Sequence, residues 1–245
     1  MSVARDAETY AALRTLVRDL PDESADFFKA HAVVAAFLGQ RNTGGYSVEI
    51  RQTGRTQLNI AEHAPPKDAI VTMALTAPFR VVALPLDMDS ALSLTLDAAW
   101  QKNVRPYRIT AGELLVFGGF AGIQERSRLE GKLGIMRAGE LATLLCDVRS
   151  VGGARERHMS DAATGRVDAN GHITLTRLDA FALSGATDSP LRADGAFTAG
   201  EQNLTLSFET VPAPHVADNF AARGKISATA TAPAPAKTAD EDVPL

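Results

Sequence analysis

Apolar side chains recur along this chain at two spacings, and the shorter one prevails. Near the start, Tyr10, Leu13, Leu16, Val17 and Leu20 fall three or four residues apart, which predicts a helix. Asp6 can cap that helix, and Pro21 stops it. Residues 32–38 then form a compact apolar run suited to a buried strand, and residues 39–45 supply turn chemistry. Tyr46-Ser47-Val48-Glu49-Ile50 alternates apolar and polar in strand fashion. Further short strands are predicted at 58–60, 70–75 and 79–84, with breaks at Pro65-Pro66 and Ala77-Pro78.

Beyond residue 90 the alternation continues. Leu92, Leu94 and Leu96 mark one strand, and residues 114–117 another, ending in Gly118-Gly119. One helix is predicted near 139–148, because Leu141, Leu144, Leu145 and Val148 share a side at helical spacing. Two hairpins follow. The first turns at Asn170-Gly171, a pair suited to a type I′ turn, and the second turns near residues 200–203. The pattern predicts a mainly β protein with a few short helices (α+β), built as two β-rich sheets or one large barrel- or sandwich-like architecture. It divides into a module at 1–90, a second β-rich domain at 91–226, and a disordered Ala/Pro-rich acidic tail at 227–245.

Composition changes this picture in two places. The net charge of −4 argues against nucleic acid as the main partner, yet it is uneven. Residues 1–99 carry 9 basic and 12 acidic side chains, residues 100–166 carry 11 and 7, and residues 167–245 carry 5 and 10. The single cysteine, Cys146, excludes an intramolecular disulfide and a zinc site built from several thiols. The opening residues show no signal peptide, and no apolar stretch is long enough to span a bilayer. A soluble protein is expected, cytoplasmic as the chain stands.

The stretch from Ala32 to Ile50, A-V-V-A-A-F-L-G-Q-R-N-T-G-G-Y-S-V-E-I, resembles the PrcB C-terminal domain family. Its marks are an apolar strand, Gly-Gln-Arg, then Thr-Gly-Gly-Tyr and an alternating strand. Glu62-His63-Ala64-Pro65 and Thr76-Ala77-Pro78-Phe79-Arg80-Val81-Val82 resemble later blocks of that family, so the resemblance covers about residues 5–86. It implies a small β-rich module, usually extracytoplasmic and often in lipoproteins, whose named member resembles a stabilising, non-catalytic partner of a surface protease. The chain shows no leader and no lipid-attachment cysteine, and its extracytoplasmic placement would require a removed leader. Thr43, Gly44, Gly45 and Tyr46 are the partner-binding candidates: the glycines permit positive φ, Thr43 can hydrogen-bond the turn, and Tyr46 is an amphipathic anchor.

No enzymatic site and no cofactor are expected. His31, His63, His158, His172 and His215 stand apart, without metal-ligand spacing. Asp168-Ala169-Asn170-Gly171 echoes part of a calcium loop but lacks its further acidic ligands. The basic centre supplies Arg126, Arg128, Lys132, Arg137, Arg155 and Arg157 as nucleic-acid candidates, with glutamates interleaved. The tip Asp240-Glu241-Asp242-Val243-Pro244-Leu245 resembles the acidic tip of bacterial single-stranded DNA-binding proteins, and is a candidate for docking on a partner. The expected function is therefore a non-catalytic protein-binding or accessory module. The alternative is a cytoplasmic nucleic-acid-associated protein that recruits a partner through its tail. A small-molecule carrier would require a cavity inside the second sheet.

Overall fold

The computed structural model describes residues 1–86, 92–117, 122–153, 156–178, 191–210 and 221–231. The first part comprises β1 (Ser2–Ala4), α1 (Ala7–Leu16), a 3₁₀ turn (Phe27–Lys29), β2 (His31–Phe37), β3 (Ser47–Gln52), β4 (Gln57–His63), β5 (Phe79–Pro85), β6 (Ser93–Leu96) and α2 (Ala98–Gln101). Asp6 caps α1 by accepting from the Thr9 N–H at 2.7 Å. Strand β2 lies between β1 and β5 in one antiparallel sheet. From Ala32 to Phe37 it is apolar because both faces are covered. Val33 and Ala35 pack with Tyr10, Leu13, Val17 and Phe28, whereas Ala32, Val34 and Ala36 join Leu58, Ile60 and Trp100 in a second core. A further sheet has the order β3-β4-β6, with β6 parallel to β4.

The second part is a closed, eight-stranded, up-and-down barrel. Its strands are β7 (Arg105–Phe117), β8 (Ile123–Ala138), β9 (Leu141–Val151), β10 (Arg157–Val167), β11 (His172–Leu178), β12 (Leu191–Thr198), β13 (Asn203–Thr210) and β14 (Ala221–Ala230). Each pairs antiparallel with the next, and β14 closes on β7. Leu114, Leu129, Leu133, Leu144, Ile173 and Phe208 are among the apolar side chains that meet in one core, as an eight-stranded interior requires.

Several expectations are corrected here. The helix near 139–148 is strand β9. Gly139 (φ +59°) and Glu140 form a tight turn, because Ala138 pairs directly with Leu141. Leu144 and Val148 face the barrel core, while Leu141 and Leu145 pack outward against the first part, so double-sided burial imitated helical spacing. Residues 70–75 form no strand and run as an irregular segment. Residues 227–230, expected in the tail, complete β14, since β7 and β13 supply ladder partners on both sides. The Asn170-Gly171 turn is not type I′, because only Gly171 has positive φ (+80°). Asp168 shapes it instead, its carboxylate accepting from the N–H groups of Asn170 and His172 at 2.8 and 2.9 Å. Finally, a division at residue 90 would part β6 from its hydrogen-bonded neighbour β4 and Trp100 from its core.

The two parts are joined through buried contacts. On the outer barrel wall, Met136, Leu145 and Ala162 enter the core of Leu58, Ile60, Leu92 and Trp100. Beside them a polar chain runs in one direction. Thr143 donates to the Met1 carbonyl at 2.7 Å, so the Thr164 hydroxyl must donate to Thr143, at 2.8 Å, while itself accepting from the Val3 N–H at 2.7 Å. Asp161 receives the Arg5 guanidinium at 3.0 Å and the Leu92 N–H at 2.8 Å, and both ionic side chains are buried. Among the described residues no helix is long and apolar enough to cross a membrane.

Candidate partner-binding face

The Thr43–Tyr46 loop links β2 to β3 and is built against the segment that precedes β5. Gly45 has φ +83°, and an added Cβ would sit 2.9 Å from Pro65 Cβ and 3.2 Å from Val71 Cγ1, so conformation and space both require glycine. The Gly44 N–H donates to the Thr72 carbonyl at 2.8 Å. The Thr76 hydroxyl donates to the Thr43 carbonyl at 2.9 Å, and Arg41 and Thr76 exchange two backbone hydrogen bonds. Thr43 therefore anchors the turn through its carbonyl.

Arg41 extends this frame into the module. Its Nη2 lies 2.9 Å from Glu62 Oε2, its Nη1 donates to the Leu38 carbonyl at 2.7 Å, and its guanidinium stands 5.5 Å from the centre of the Tyr46 ring. Glu62 is tied in turn to Asp97, whose carboxylate accepts from the Glu62 N–H and caps α2 at Trp100. Tyr46 leans on the core.

Against this frame the following segment turns apolar side chains outward. Val71 packs on Gly45, but Ile70 is fully exposed, Met73 is 84% exposed and Leu75 69% exposed, and Phe79 at the start of β5 is half exposed. Large exposed apolar side chains close together in one segment make it a candidate interaction surface. The loop residues stand out in the sequence, whereas the exposure of Ile70, Met73 and Leu75 does not. The run A-I-V-T-M-A-L between Pro65-Pro66 and Ala77-Pro78 was the available signal, and it reads equally well as a buried strand.

The basic candidates are only partly assembled. Arg126, Arg128 and Lys132 project from the outer face of β8, where Arg108 of β7, Arg149 of β9 and His158 of β10 join them around a hollow of about 750 Å³ or its margin. Carboxylates interrupt this wall: Glu130 lies 2.6 Å from Arg128 and 3.7 Å from Arg149, Glu113 lies 3.4 Å from Arg126, and Asp147 lies 2.7 Å from His158. Arg137 is engaged elsewhere, 3.6 Å from Glu201, which also holds Arg105. Arg155 and the acidic tip lie outside the described residues, and of Arg157 only the strand position in β10 is described.

The remaining chemistry is local. Burial pushes the Cys146 thiol upward in pKa, with Asp161 and Asp147 adding to the effect. His31 stacks on Phe27 at 4.5 Å, and His63 pairs with Glu49 at 3.1 Å.

A small open β module packed on an up-and-down barrel is thus the architecture that carries this face. Within it, residues 32–85, from β2 to the end of β5, match the family model described as PrcB C-terminal. No curated protein and no solved structure matches the chain.

Proposed function

We infer that this chain is a non-catalytic accessory protein that binds a protein partner through the face formed by Thr43–Tyr46 and the outward side chains of Ile70, Met73, Leu75 and Phe79. The observation that carries this reading is the exposure of those four large apolar groups beside a loop held in place by Gly45, Thr76 and the Arg41–Glu62 pair. A frame fixed before binding lowers the ordering cost of association. The PrcB C-terminal match covers both the loop and the apolar segment, which supports a role beside a protease or another complex.

The test is capture of partners from the native cell with the full chain and with Ile70→Asp/Met73→Asp. Both side chains are exposed, so the variant should keep the parent's unfolding midpoint and lose the partner. An unchanged partner set would remove this face from consideration.

A further inference from the structure

The basic hollow on the barrel wall has a shape and a charge that the partner-binding face does not use. From Ile109 to Gly112 on β7, four residues stand against the three residues Leu129–Gly131 on β8, and the ladder between the strands is interrupted there. Gly131 (φ +140°) seats its backbone so closely on β9 that an added Cβ would lie 2.2 Å from the Asp147 carbonyl oxygen. The wall is therefore indented, and peptide groups outside the β7–β8 ladder lie in the indentation. Arg108 and Lys132 stand opposite each other at its edge. Glu130 and Asp147 engage Arg128, Arg149 and His158, but among the described residues neither Arg108 nor Lys132 has an ion-pair partner.

Strand β14 ends beside this place. Thr229 lies directly opposite Arg108, and the Thr231 N–H donates to the Pro106 carbonyl at 2.9 Å. Residues 232–239, A-P-A-P-A-K-T-A, then separate this exit from Asp240-Glu241-Asp242. An Ala/Pro spacer of that length reaches about 25 Å at ~3.1 Å per residue. The hollow from Arg108 to Arg149 crosses two strand spacings, about 10 Å.

We propose that the carboxylates of Asp240, Glu241 and Asp242 dock intramolecularly on Arg108 and Lys132 at this indentation. Three acids on a short tether meet two cations that lack an ion-pair partner among the described residues, and the high local concentration offsets the weakness of exposed ion pairs. This inference is independent of the partner-binding face.

Paramagnetic labelling of the full chain tests it. Cys146 is buried, so in Pro244→Cys the new thiol takes a nitroxide label selectively. At low salt the label should broaden the amide signals of Arg108, Gly112, Gly131 and Lys132. That broadening should disappear in Arg108→Ala/Lys132→Ala and at about 0.5 M NaCl, where screening shortens electrostatic reach to a few ångströms. No broadening at low salt, or broadening that survives the double substitution, overturns the proposal. Broadening seen only when labelled chains are mixed with unlabelled, isotope-enriched ones also overturns it, because the segment would then serve a second copy. An oligothymidylate that binds the full chain no more weakly than it binds Asp240→Asn/Glu241→Gln/Asp242→Asn would show that the tail does not occupy the hollow.

Discussion

Replacing Asp161 with alanine should cost more than any other single change at the seam between module and barrel. The Asp161 side chain is fully buried and that of Arg5 is 5% exposed, so solvent cannot take over the role of the lost carboxylate. Removing one member of a buried ion pair costs about 3–5 kcal/mol, mostly as the penalty on the charge left behind. The Leu92 N–H loses its acceptor as well, which adds about 1–3 kcal/mol. Against a stability of roughly 5–15 kcal/mol for a native protein, this loss is large. Urea unfolding at neutral pH should show a markedly lower midpoint, or two transitions once the parts unfold separately. The double change Arg5→Met/Asp161→Leu should recover much of the loss, since it removes both charges together. If Asp161→Ala costs less than about 1 kcal/mol in a single transition, the pair does not hold the two parts together and the reasoning fails.

Two further outcomes follow from the packing. Gly45→Ala should lower stability by at least about 1–2 kcal/mol in urea titration, because alanine there meets both an unfavourable φ and Pro65, whereas Gly152→Ala, with φ +79° and open space, should cost less. The folded state holds the Cys146 proton more tightly than the unfolded chain does, so its contribution is complete below the ordinary thiol pKa and declines above it. Above pH about 9 the parent should therefore lose stability more steeply than Cys146→Ala, by up to about 1.4 kcal/mol per pH unit. Equal slopes would show that the thiol titrates normally.

The sequence was most legible where one face of an element met solvent. Strand β13 alternates Leu204, Leu206 and Phe208 with exposed residues, and the turn before it is marked by Gly200. It was least legible where tertiary contact covered a second face. In β9, outward Leu141 and Leu145 are apolar only because the module lies on them, and a chain read alone does not contain that fact. Strand β8 is not legible in the sequence because Gly131 and Gly134 interrupt its alternation, both where neighbouring atoms leave little room for a side chain. The Thr-Gly-Gly-Tyr loop announced itself through backbone demands. Its apolar neighbours did not, because exposure depends on what the rest of the fold leaves uncovered.

Closure of the barrel by β14 on β7 sets the order in which this protein can be made. Ala221 pairs with Phe117 and Ala230 with Tyr107, so contacts more than a hundred residues apart are the last to become available during synthesis. Neighbouring hairpins can zip as they emerge, but the free edge of β7 stays open until β14 arrives. Folding should accordingly be slow in its final step, with an incomplete sheet as the species most exposed to misassembly.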